Sequence, residues 1–189
     1  TSVVDQTVTE AITTKGRIRA DAYVFALGAY EPKLREHLGA PPPVYPVKGY
    51  SATLPIARPE AAPRHAGMDE SKLIAYCPMG DRLRVTGGAE FAGHARSHAP
   101  EDFARLYEAI DELFPGATDR ARAHTWACLR PMTPESTPRF GTGTLANLYF
   151  NAGQGHMGWA MAAGSARVVA VLVSGRKPEI DLEGLRVRR

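Results

Sequence analysis

Leu148-Tyr149-Phe150-Asn151 is followed, one residue later, by Gly153-Gln154-Gly155-His156-Met157-Gly158. The first four residues suit a short strand, and the glycine segment opens an apolar run, 158–173, long enough for a helix. Strand, G-x-G-x-x-G and helix in that order is the context in which this motif meets a dinucleotide. Glycines let the backbone approach a ligand closely, and unpaired amides at a helix start favour negative charge. The same glycines also suit tight helix–strand packing, so both readings stand. A second match, Gly141-Thr142-Gly143-Thr144-Leu145-Ala146, precedes a strand instead of a helix and reads as a turn. Only about thirty residues follow Gly158, too few for the rest of a dinucleotide fold. The segment therefore reads as the end of a site whose beginning lies elsewhere.

Upstream, the pattern is mostly of strands. Residues 7–14 alternate, Lys15-Gly16 turns, and 17–20 leads into an apolar run at 23–27 that ends on Gly28 and reads as a strand covered on both faces. A short helix is expected at 31–38, with Pro32 in its first turn, and Pro41-Pro42-Pro43 marks a boundary. Residues 44–54 read as a long strand, and 73–77 and 82–86 as a hairpin around Pro78-Met79-Gly80-Asp81. Between Pro100 and Pro115-Gly116, the residues Phe103, Leu106, Tyr107, Ile110, Leu113 and Phe114 form one helical stripe. A strand at 121–129 approaches Arg130-Pro131, and a proline-rich loop follows. The run at 158–173 contains Arg167 and is rich in small residues, which suggests a buried helix in place of a membrane span.

Composition bounds what such a chain does. With 189 residues, 44% of them hydrophobic, it can bury a core. The 23 basic and 20 acidic residues leave a net charge of +3, carried largely by Arg186, Arg188 and Arg189, and no basic patch suggests nucleic acid. Cys77 and Cys128 lack partners at metal spacing and read as small core residues in a reducing compartment. His94 and His98 are four apart but have no matching third ligand, so no metal site is expected.

Four segments in order, Tyr45-Pro46-Val47-Lys48-Gly49-Tyr50-Ser51, Arg84-Val85-Thr86-Gly87-Gly88-Ala89-Glu90, Leu129-Arg130-Pro131-Met132-Thr133-Pro134 and 153–159, resemble the D-amino acid dehydrogenase branch of the D-amino acid oxidase superfamily. The resemblance implies an α+β fold: a mixed or antiparallel substrate-domain sheet with flanking helices, plus the carboxy-terminal portion of a Rossmann-like FAD-binding domain. It divides the chain into 1–43 (FAD-binding), 44–129 (substrate domain) and 130–189 (return to the FAD-binding domain). The family's amino-terminal Rossmann unit is not among these residues, so a truncated product, or one piece of a split protein with a partner chain carrying that unit, is expected.

The resemblance further implies oxidative deamination of a D-amino acid to a 2-oxo acid, with FAD as cofactor and a quinone or other electron acceptor. A D-hydroxyproline or glycine/sarcosine-type oxidoreductase, or a non-catalytic subunit, are the alternatives. Arg130 would grip the substrate carboxylate, a role its planar fork suits, although a structural ion pair suits it too. Gly153, Gln154, Gly155, His156, Met157 and Gly158 would border the flavin, with Gly28 and Lys48 also on the cofactor side. His156 is read as touching substrate, touching flavin or capping the helix. Tyr50 and Tyr76 are candidates for lining the substrate pocket or for core packing. Cytoplasmic placement, with peripheral association at the inner membrane, is the expected location.

Overall fold

The computed structural model describes residues 2–30 and 42–187. In chain order the strands are β1 (Ser2–Val4), β2 (Thr7–Thr13), β3 (Gly16–Ile18), β4 (Tyr23–Phe25), β5 (Tyr45–Pro55), β6 (Gly67–Asp69), β7 (Ile74–Met79), β8 (Arg82–Glu90), β9 (His124–Met132), β10 (Arg139–Thr142) and β11 (Leu148–Ala152). The helices are α1 (Ala104–Leu113) and α2 (Gly158–Val173). These mixed sheets with two helices make an α+β fold. The helix expected at 31–38 and the first proline of the 41–43 triplet lie outside the described residues. The chain divides into two compact units, Thr1–Pro46 with Arg130–Arg189, and Val47–Leu129.

In the first unit, β1, β2 and β3 form an antiparallel meander, and β10, β11 and β4 a second sheet in that order. β4 runs parallel to β11, pairing Tyr23 with Leu148 and Phe25 with Phe150. The Phe25 and Phe150 rings meet edge to face at 5.8 Å. β4 is an edge strand and, among the described residues, is covered on one face: Tyr23 and Phe25 pack inward while Val24 is 51% exposed. Asn147 ties the meander to the second sheet by imitating a strand, accepting from the Val8 N–H at 2.8 Å and donating to the Val8 carbonyl at 2.9 Å. Val8 is buried, so both of its backbone groups need those partners.

α2 rests on this sheet through Val168 and Val169, which join Phe140 and Leu182 in one cluster. It is not the buried helix its composition suggests. Only Ser165, Val168 and Val169 are buried, and Trp159 is 96% exposed. Arg167 pairs with Glu179. Together with the preceding turn, Gly155–Val173 is long and apolar enough to cross a membrane by length and composition.

The second unit is built on a five-stranded sheet in the order β6-β7-β8-β5-β9. β7 and β8 form the expected hairpin, but Pro78 and Met79 belong to the strand, and the turn is Gly80-Asp81 alone, with Gly80 at φ 65°. Alternation puts Tyr50, Ala52 and Leu54 of β5 on one face with Leu83 and Val85 of β8. α1 and the turn before it cover that face with Phe103, Leu106, Ala109 and Ile110, all buried. Full burial of a leucine such as Leu54 or Leu83 stabilises the fold by about 1.5–3 kcal/mol. Cys77 and Cys128, expected in a core, are both exposed. Cys77 pairs across the strands with Arg84, on the face that α1 does not cover.

Candidate active-site segments

Three segments singled out in the sequence come together in the first unit. β9 ends in Arg130-Pro131-Met132, inside the strand instead of after it, and Thr133 closes a tight loop. The Thr133 hydroxyl donates to the Thr137 carbonyl at 2.7 Å and accepts from the Thr137 N–H at 3.1 Å. Pro131 lies against Gly28, its Cγ 3.9 Å from where a Cβ would stand. Thr133 and Met132 fill the space beside the glycine motif. A Cβ at Gly153 would lie 2.3 Å from the Thr133 methyl, and one at Gly155 would lie 3.0 Å from the Met132 sulfur. Both glycines are at positive φ, 72° and 58°, a region other residues adopt at a cost. Packing within the chain alone therefore accounts for glycine at these two positions.

What the motif leaves available is the start of α2. Its N-cap, Met157, makes no side-chain cap, nor does Gln154 before the short turn that precedes the helix. Gln154 is turned instead to Asn151, donating to its Oδ1 at 2.5 Å. His156 and Met157 are exposed, and the His156 side chain makes no hydrogen bond among the described residues. A helix start of sixteen residues with no side-chain cap offers amide hydrogens and the positive end of the dipole to an electron-rich group. That is the fit expected of residues bordering a flavin. Arg130 is half-buried in β9.

The remaining candidates, Lys48, Tyr50 and Tyr76, belong to the second unit. Lys48 is 4% exposed and its ammonium lies 2.9 Å from Glu90 and donates to the Ser97 carbonyl at 3.0 Å. The Tyr50 hydroxyl donates to the same Glu90 carboxylate, and the Lys48 ammonium sits 5.3 Å from the Tyr50 ring centre. The Tyr50 hydroxyl, then Lys48, hold the Glu90 carboxyl below its usual range. The bond to Glu90, then Tyr50, raises Lys48, while burial, then Glu90, pushes the Tyr50 phenol up. A bulge between Lys48 and Tyr50, with Gly88 at φ 76°, brings Glu90 back to this pair. In the sequence Glu90 stands out only as the last residue of the 84–90 motif. The signal for its role was a lysine in a strand of buried neighbours, which requires a carboxylate nearby.

Tyr50 and Tyr76 both lie on the face covered by α1, Tyr50 edge to face with Phe103 at 5.5 Å and Tyr76 with Phe114 at 4.9 Å. Tyr50 also borders a hollow of about 460 Å³ between β8 and the start of α1. His98 meets Phe103 edge to face at 5.1 Å. Among the described residues no group of three or more His, Cys, Asp or Glu side chains is placed to hold a metal ion.

Against known proteins, residues 1–172 match the family described as DAO, FAD dependent oxidoreductase. The chain is 46% identical over 178 residues to D-amino acid dehydrogenase 2 of Mesorhizobium japonicum, covering 94% of this chain and 43% of that protein. Among solved structures it resembles iminodiacetate oxidase from Chelativorans sp. BNC1, with a TM-score of 0.84 and 22% identity over 98% of this chain and 51% of that one. Glycine oxidase from Bacillus cereus ATCC 14579 gives a TM-score of 0.79 at 23% identity over 100% of this chain and 51% of that one. At those identities the structural likeness concerns the fold. The chain thus spans less than half of the curated relative and about half of each solved chain. The match over most of its length shows that the chain belongs to the DAO family of FAD dependent oxidoreductases.

Proposed function

We propose that this chain supplies the substrate domain and the flavin-bordering segment of an enzyme that oxidatively deaminates D-amino acids to 2-oxo acids. The observation that carries the reading is the convergence of Gly28, Arg130-Pro131-Met132-Thr133 and the start of α2 in one unit. The identity of 46% to a D-amino acid dehydrogenase supports the choice of reaction. When bound, FAD would supply the two-electron acceptor for the hydride that leaves Cα.

The chain's own residues bind and orient. The Arg130 guanidinium holds the α-carboxylate through paired hydrogen bonds, which fixes the amino acid about one end. The α2 amides favour the negative charge that accumulates beside them during the reaction. Met132 and Thr133 set the position of that helix start by filling the space beside Gly155 and Gly153. The amino group loses a proton as the imino acid forms, and water then releases ammonia and the 2-oxo acid. His156, exposed beside the helix start, is placed to touch substrate or cofactor.

The complete enzyme on this reading includes a Rossmann unit, on the same polypeptide or on a partner chain, and passes electrons to a quinone or another acceptor. The exposed thiols of Cys77 and Cys128 fit the cytoplasm, and docking at the inner membrane belongs to the same proposal. A glycine/sarcosine-type or D-hydroxyproline oxidoreductase is the alternative. The glycine oxidase likeness, at 23% identity, supports the fold, and the 46% identity to a D-amino acid dehydrogenase favours the first reading. The test is Arg130→Met in the complete enzyme, which should raise KM for D-amino acids steeply. Unchanged kinetics would remove Arg130 from the site.

A further inference from the structure

Between β11 and α2 the chain turns on two glycines. Gly153 and Gly155 are both at positive φ, and Gln154 carries the one side chain between them. Backbone of this kind swings readily, because glycine has few sterically excluded conformations. Thr133 and Met132 limit the swing from outside by occupying the space beside the two glycines. Gln154 limits it from within. Its side chain reaches back past Gly153 to Asn151, donating from Nε2 to Oδ1 at 2.5 Å, in a partly buried bond. Asn151 is itself fixed in the ladder, opposite Phe140 of β10. The Gln154 carbonyl accepts from the N–H of Met157, the residue before α2, at 3.3 Å. One residue therefore joins the last strand to the helix start, by its side chain on one side and its carbonyl on the other.

We propose that Asn151 is a positioning residue for the reaction: through Gln154 it holds the start of α2 where its amides favour negative charge on the reduced flavin. The proposal rests on the reading that this helix start borders the flavin. Without the bond to Asn151, Gln154 gains rotamers and the turn moves about Gly153 and Gly155. The reduced flavin, which carries more negative charge, then loses more stabilisation than the oxidised one. Because Asn151 acts through Gln154, its effect vanishes once Gln154 has no amide to donate.

The test is the two-electron potential of the flavin in the complete enzyme, measured by equilibration with a reference dye. Asn151→Leu keeps the size of the side chain but not its acceptor. It should shift the preference toward oxidised flavin roughly three- to tenfold, which lowers the potential by about 15–30 mV. Gln154→Leu should give the same fall, and the double variant should fall no further. Gly155→Ala, whose Cβ would stand 3.0 Å from the Met132 sulfur, displaces the turn directly and separates the proposal from the reading beneath it. A potential shifted, or flavin lost, in Gly155→Ala but not in Asn151→Leu would overturn the role of Asn151 alone. So would additive shifts in the double variant, or a Gln154→Leu variant without effect. A potential moved by none of the variants would remove the helix start from the flavin, and the proposal with it.

Discussion

The methyl of Thr133 occupies the place a side chain at Gly153 would need: an added Cβ would stand 2.3 Å from it, too close for any real contact. Because Gly153 is also at φ 72°, Gly153→Ala meets both a clash and a strained backbone. The expected loss of stability is about 2–4 kcal/mol. Thr133→Ser keeps the hydroxyl that closes the 133–137 loop and removes the methyl. In a double-mutant cycle followed by urea denaturation, the pair should couple by about 1 kcal/mol. Strict additivity would mean that the two residues do not meet.

Arg130 should act mainly on binding. In the complete enzyme, Arg130→Met should cost roughly a hundredfold in kcat/KM, taken chiefly in KM, as expected when a charge-assisted bond to the ground-state carboxylate is lost. Arg130→Lys should recover part of this, since lysine keeps the charge but not the fork. Steady-state kinetics with one D-amino acid decides it. A fall in kcat at unchanged KM would assign Arg130 another role.

Much of this arrangement was legible in the sequence, for identifiable reasons. The stripe from Phe103 to Ile110 repeats with helical period, and α1 buries it. The strand, glycine motif and helix at 148–173 followed from chain order. The sequence pattern ends this strand at 129, before Arg130-Pro131. β9 is an edge strand, however, where a missing N–H can face away from the sheet. Composition marked α2 as apolar but carried no information on what covers it, so its exposure was not legible. Cys77 was assigned to a core from residue type, whereas strand alternation puts it opposite Arg84 on the face away from α1. The pairing of β4 with β11, and of Asn147 with Val8, joins residues more than a hundred positions apart, which no local pattern encodes.

Asn147 gives a separate prediction. Asn147→Ala removes both partners of the Val8 backbone, leaving an N–H and a carbonyl at a buried residue without their bonds. The loss should be about 2–3 kcal/mol, measured as a shift of the urea midpoint. A loss below about 0.5 kcal/mol, the range of ordinary surface substitutions, would mean that water replaces the asparagine freely.

The Glu90 network predicts a pH dependence. The Tyr50 hydroxyl and Lys48 depress the carboxyl, so its contribution is fully present above the unfolded-state value, about 4.3 for glutamate. It is lost as pH falls through the lower, folded value. The stability of the unsubstituted chain should therefore fall more steeply below about pH 4 than that of Glu90→Gln, in urea titrations at matched ionic strength. Parallel curves would show that Glu90 titrates normally.

On the proposed function the complete enzyme takes reducing equivalents from a D-amino acid. The most direct measurement is anaerobic mixing of the flavin-loaded complete enzyme with D-alanine, L-alanine or glycine, following the blue absorption of oxidised flavin. D-Alanine should bleach that band, and L-alanine and glycine should leave it in place. Bleaching by glycine or L-alanine, with none by D-alanine, would contradict it.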